Sequence, residues 1–171
     1  SLSPLVLMLV CIENGHPWPT SLLSVKAHLL SKNSEDLHNP LEYRCLLLTP
    51  AVYRLWGKTR LAQVQPWIKA WAKPRMYGGI SGLGAEDAWY TTALQVEHSM
   101  ITDTSFVGGV LDLFKCFDQV VRPLLYVLLA LSGFPPNLLT AYMNYMENMK
   151  LRHSIMGSLG KPHTHVCGIP Q

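Results

Sequence analysis

The chain has no Cys-x-x-Cys pair. Its four cysteines, Cys11, Cys45, Cys116 and Cys167, are widely scattered. That spacing argues against a zinc ribbon and makes reduced thiols in an intracellular protein the expectation. Long apolar runs are also missing. Leu5 to Ile12 and Pro123 to Leu131 are the most apolar stretches, and both fall well short of the roughly 20 residues that span a bilayer. No basic region precedes the first, which argues against a signal peptide. Gly78, Gly79, Gly82 and Gly84 crowd one loop, but no Gly-Lys-Ser/Thr follows, so neither a P-loop nor a dinucleotide fingerprint is present. No internal repeat or low-complexity segment occurs.

Charge is sparse as well. Charged residues make up 15% of the 171 and hydrophobic residues 49%. Such a chain can build a core and does not read as disordered. Its length suits one domain or a piece of one. A net charge of +3 is compatible with a nucleic-acid partner without pointing to one.

Apolar positions on nearly all sides predict a buried helix over residues 2–13, stopped by Asn14-Gly15. Thr20 is a candidate cap for a short helix over Ser21–Ser24. Val25 to Leu30 and Tyr43 to Leu48 read as strands, with a polar hairpin tip from Ser31 to Pro40 between them. Pro50 opens a helix carrying Val52, Leu55, Trp56 and Leu61, and Pro66 starts a second segment with Trp67, Ile68 and Trp71. Further helices are expected over Ala85–Ile101, Val120–Leu131 and Asn137–Met149, and a strand over Lys150–Met156. The Met143, Met146 and Met149 stripe reads as core packing. In His163-Thr164-His165-Val166-Cys167, alternate residues of a strand face one way and could converge on a metal. No fourth ligand is visible nearby.

The most informative stretch is Phe106-Val107-Gly108-Gly109-Val110-Leu111-Asp112-Leu113-Phe114-Lys115-Cys116-Phe117-Asp118-Gln119-Val120. Its first half reads as a buried strand over 106–112 that ends on a carboxylate. A buried carboxylate is costly unless it is paired, and a hard divalent cation would pair it. The plainer reading is that Asp112 caps the following helix.

Asp112-Leu113-Phe114-Lys115-Cys116-Phe117-Asp118 resembles the first palm motif of reverse transcriptases of the non-LTR, LINE-like kind, Asp-Leu-x-Lys-Ala/Cys-Phe-Asp. Gly168-Ile169-Pro170-Gln171 resembles the opening of that family's next motif, and the two stand in the family's order. Leu29 to Lys32 and Tyr43 to Leu48 are similar to the strands of its finger hairpin, although the LINE-like Arg-Pro-Ile is Arg44-Cys45-Leu46 here. Tyr53 to Leu61 resembles the helix that follows, and Gly78 to Glu97 is similar to the next block without its usual Gln and Phe.

The resemblance implies an α+β fold, helix-rich, with a small antiparallel sheet: fingers over 1–104 and a truncated palm over 105–171. It implies an RNA-directed DNA polymerase of a mobile element, working in the nucleus on an RNA template, a DNA primer and a deoxynucleoside triphosphate (dNTP). Two Mg²⁺ ions would clamp the attacking and leaving oxygens. Asp112 is the implied catalytic ligand to both ions, helped by the Leu113 carbonyl. Lys32, Arg44, Lys115, Phe117 and Gln171 are the implied nucleotide-binding residues. Lys32 and Arg44 would grip the triphosphate, Phe117 would exclude a ribose 2′-hydroxyl, and Gln171 would touch the incoming nucleotide. The family's later Asp-Asp pair lies outside these residues, so the piece is expected to be inactive by itself. The rival readings are a helical nucleic-acid- or protein-binding module and a non-functional remnant of a mobile element.

Overall fold

Proline at the start and glycine just past the end delimit the first helix, α1 (Pro4–Glu13). The next residue but one, Gly15, has φ +96, a left-handed conformation that costs glycine little. The computed structural model describes residues 3–32, 39, 42–155 and 157–170. They fold as an α+β chain of five α-helices and a mixed four-stranded sheet, in two compact units, 1–61 with 115–171, and 62–114.

The first unit holds the sheet. A 3₁₀ turn over Thr20–Leu22 leads into it, with Pro19 rather than Thr20 in the cap position. β1 (Ser24–Ser31) alternates as a half-buried strand should: Val25 and Ala27 are sealed, while Ser24 and Lys26 face solvent. β2 (Tyr43–Leu48) pairs with it antiparallel, Leu30 opposite Arg44 and Lys26 opposite Leu48. Helices α2 (Ala51–Trp71), α3 (Ala85–Ile101), α4 (Arg122–Leu131) and α5 (Pro136–Asn148) come before β3 (Lys150–Ile155). β3 joins the other edge of β1 in parallel, Lys26 beside Arg152, and a two-residue β4 (Ser158–Leu159) completes the order β2-β1-β3-β4. The expected all-antiparallel sheet is thereby corrected to a mixed one. A parallel pair needs a long crossover, and the helices between β1 and β3 supply it.

The core of this unit gathers Ile12, Trp18, Val25, Ala27, Trp56, Tyr126, Tyr145, Met146, Met149 and Leu151, with Leu138, Leu139 and Ala141 of α5. Helix α5 packs on both α1 and α4. Trp18 meets Tyr53, Trp56 and Tyr145 edge-on, while Tyr53 and Tyr145 stack at 3.5 Å. Burial pushes the Tyr53 and Tyr145 phenols upward, so these rings stay neutral.

Helix α2 runs from the first unit into the second, straight through Pro66. It is one helix where two segments were expected. A proline removes one backbone bond; the turns on either side keep theirs, and Trp67 and Trp71 pair one turn apart at 5.5 Å. In α3, the Gly84 N–H donates to the Asp87 carboxylate at 2.7 Å, and Glu86 and Asp87 complement the positive end of the helix. Only Val64 and Ser99 are buried within 62–114.

The strand expected over 106–112 does not form. Residues 104–113 have no regular structure, and Val107, Val110 and Leu111 are 92%, 98% and 97% exposed. β-Propensity alone cannot hold a strand without a partner ladder. No described strand pairs with this segment, and Gly108-Gly109 adds backbone entropy against extension.

Candidate functional site

The chemistry-bearing residues of the first unit cluster in two places. One is the open end of the β1–β2 hairpin. The Lys32 N–H donates to the Glu42 carbonyl at 2.9 Å, extending the ladder by one rung. Lys32 and Arg44, with Leu30 and Ser31, line one shallow concavity. The two cations expected to act together are thus brought to the same surface. Residues 33–38, 40 and 41 of the hairpin tip lie outside the described residues, as does Gln171.

The other place is the turn that follows Asp112. Lys115 adopts φ 47 and ψ 44, a left-handed conformation uncommon for a lysine. Its carbonyl accepts from the N–H groups of Asp118 (3.0 Å) and Gln119 (3.2 Å), closing a 3₁₀ turn over Cys116–Gln119. Such strained residues persist where the surroundings over-determine them, and here the surroundings are identifiable. The Gly168 N–H donates to the Val120 carbonyl at 2.8 Å, and the Ile169 N–H donates to the Phe117 carbonyl at 3.0 Å. Gly168 has φ +80, and a Cβ placed on it would sit 2.9 Å from the Asp118 carbonyl oxygen. Phe117 to Val120, at the end of the first motif, and Gly168-Ile169 of the second are therefore stitched together by backbone, at a spot that accepts only glycine without strain.

Between this turn and the sheet lies a recess of about 70 Å³, lined by Cys45, Leu47, Asp118, Leu151, His153, His165, Gly168 and neighbours. Burial pushes the Cys45 thiol up; the Asp118 carboxylate adds to the rise and Lys115 opposes it. This places Cys45, one residue past Arg44, in the electrostatic neighbourhood of the motif turn. Phe117 is 45% exposed and so is no deep core residue.

Asp112 and Leu113 belong to the other unit, in the irregular segment, and both are exposed. Asp112 ends no strand, and it caps no helix either: the cap of the 3₁₀ turn is Lys115 and that of α4 is Val121. Mg²⁺ asks for several oxygen ligands in near-octahedral array. No group of three His, Cys, Asp or Glu converges among the described residues, so they do not fit a resident metal centre by themselves. The same holds for the metal reading of His163, His165 and Cys167. His163 instead bridges to Leu151 and stacks on His153 at 5.0 Å.

Two polar centres had no signal in the periodicity. Glu13 is 8% exposed; its carboxylate accepts from Trp56 Nε1 at 2.7 Å and from Arg60 Nε and Nη2 at 2.5 and 2.8 Å. Arg122, 1% exposed, donates to the Met146 carbonyl and stands 3.4 Å from Glu147, which also accepts from the Tyr126 hydroxyl. A single charge at the head of the apolar run Pro123–Leu131 was the available clue to Arg122.

No family model matches the chain, and no curated protein matches it. No helix among the described residues is long and apolar enough to cross a membrane.

Proposed function

We propose that the chain is the fingers and first palm half of a LINE-like reverse transcriptase, an RNA-directed DNA polymerase whose parent extends a DNA primer on an RNA template. The observation that carries the reading is the pair of backbone bonds from Gly168 and Ile169 to Val120 and Phe117. Two motifs chosen for their likeness to one family, far apart in sequence, lie against each other in the fold. The shared concavity of Lys32 and Arg44 supports it further. Arg44 offers a planar fork and Lys32 a point charge to a triphosphate. Phe117, half-exposed beside the motif junction, is the sugar-facing ring that would leave no room for a 2′-hydroxyl, and Lys115 and Gln171 are further nucleotide contacts. Asp112 contributes a carboxylate to the parent's Mg²⁺ site. The remaining ligands have to come from outside the described residues. In this reading the parent acts in the nucleus.

The test uses the chain as it stands. Titration with a dNTP should show binding that Arg44→Ala and Lys32→Ala each weaken. In the parent enzyme, Phe117→Ala should raise kcat/KM for ribonucleotides relative to deoxynucleotides. Binding indifferent to both cations, with sugar discrimination unchanged, would remove the reading.

A second reading has one observation in its favour. The exposed apolar side chains of Val107, Val110, Leu111 and Leu113 are what a protein-interaction module presents to a partner.

A further inference from the structure

Helix α4 is inverted. A surface helix turns its apolar stripe to the core and its polar residues to water. In α4 the two side chains that carry polar groups, Arg122 and Tyr126, are the buried ones. Arg122 donates to the Met146 carbonyl, and the Tyr126 hydroxyl donates to the Glu147 carboxylate at 2.7 Å. The exposed positions of the helix are Pro123, Leu124, Val127, Leu128, Ala130 and Leu131. None of them has a polar side chain. Exposed leucines scattered singly need no explanation, but here they make up the whole outer face of one helix.

That face has an order. Val121 at the cap position, Leu124, Leu128 and Leu131 follow the alternating three-four spacing of a coiled-coil seam, and each is more than half exposed. Val127 borders the seam. The seam reads the same in both directions: Leu124 and Leu128 stand equally far from its midpoint, and so do Val121 and Leu131. A two-fold interface uses one patch on both partners, so the patch has to complement itself. When two copies of this helix run antiparallel, Leu124 meets Leu128 of the second copy and Val121 meets its Leu131. No charge stands on the face, so self-pairing brings no like charges together.

Complete cover of Val121, Leu124, Val127, Leu128 and Leu131 would take on the order of 500 Å² per copy out of water and about 1,000 Å² for a pair, the lower edge of what a specific interface needs. The other occupants fit less well. A helix that lies on a lipid surface carries Lys or Arg along its polar face, whereas the single cation of α4 is turned inward. A charged partner would find nothing here to pair with. We propose that α4 is the contact of a weak two-fold homodimer, in which the helix packs antiparallel against its own copy. The inference stands on burial and spacing and does not require the polymerase reading.

The experiment is sedimentation equilibrium of the full chain from about 1 to about 100 µM. A reversible monomer–dimer equilibrium is expected, the heavier species at twice the 19.2 kDa of the chain, with a melting temperature that rises with concentration. Leu124→Glu and Leu128→Glu should each raise the dimer Kd at least about tenfold. Their circular dichroism and their melting temperature at the lowest concentration should match the wild type, since both positions face water in the monomer. The double variant Leu124→Lys, Leu128→Glu should regain much of the loss, because antiparallel pairing sets each introduced cation against an introduced anion; Leu124→Glu, Leu128→Glu should regain none. Leu7→Glu, on the outside of α1, should leave the Kd unchanged. A monomer at every concentration would overturn the proposal, and so would a dimer indifferent to both glutamate substitutions. Failure of the opposite-charge variant to recover would overturn the antiparallel pairing. Binding of the monomer to phosphatidylcholine vesicles, abolished by the same substitutions, would give the face to lipid instead.

Discussion

The two units use their apolar residues in opposite ways. In the first, aromatic and aliphatic side chains from α1, β1, α4, α5 and β3 are sealed from water, and even a glutamate and an arginine are buried with partners. In the second, Trp89, Tyr90, Met100, Ile101, Val107, Val110 and Leu111 stand largely in solvent. The composition of the two is not the cause, since both are rich in large apolar residues. The first unit has a sheet whose two-residue alternation meets helices, so apolar faces find one another. The second has α3, the end of α2 and a long irregular tail, and two helical pieces without a sheet enclose little. The boundary between them falls inside the motif, after Phe114. The half with Lys115 to Val120 is pinned by Gly168 and Ile169, whereas the half with Asp112 is not.

That contrast can be broken or sharpened by substitution. The largest effect belongs to Trp18→Ala, which opens a cavity at the centre of the aromatic cluster and removes the indole N–H that donates to the Ala141 carbonyl; a loss of about 3–5 kcal/mol is expected in denaturant unfolding. A loss below about 1 kcal/mol would mean that the first unit is no better packed than the second. Next comes Glu13→Ala. It strands the Trp56 N–H in a buried site and takes the carboxylate from the Arg60 guanidinium, and should cost about 2–3 kcal/mol, with most of the loss already present in Glu13→Gln if the charge matters more than the shape. Gly168→Ala forces a side chain into left-handed backbone against Asp118, and about 1–3 kcal/mol should follow. Hydrogen exchange at Gly168 and Ile169 would speed up in step, and unchanged exchange would deny the stitch between the motifs. The smallest effect is expected in the second unit. Leu111→Ser removes a side chain that is 97% exposed and should change stability by less than about 0.5 kcal/mol. A large loss there would show that the segment is packed in solution and would erase the comparison.

Most of the elements were legible in the residues. β2 and α3 fall on the expected positions, because the first is a short run from an aromatic residue to three leucines and the second has an acidic first turn after glycine. α1, β1, α4, α5 and β3 agree to within a residue or two, since proline, glycine or asparagine marks their ends. The hairpin was equally readable, and with it the approach of Lys32 to Arg44. The strand over 106–112 was misread for a specific reason. Local propensity describes what a segment tolerates, and a strand exists only when a neighbouring ladder takes up its backbone groups. The parallel partnership of β1 and β3 carries no local mark at all, and neither does the Glu13 network; Arg122 is marked only by its lone charge at the head of an apolar run.

The sequence by itself determined where helices and strands begin and end, because caps, breakers and periodicity act over a few residues. It also determined the two motifs and their order. Tertiary structure alone decided that those motifs touch through Gly168, that the sheet is mixed, and that Lys26, Lys150 and Arg152 share one open face. Each of these depends on residues distant in the chain meeting at hydrogen-bonding or side-chain range, and no local propensity contains that distance.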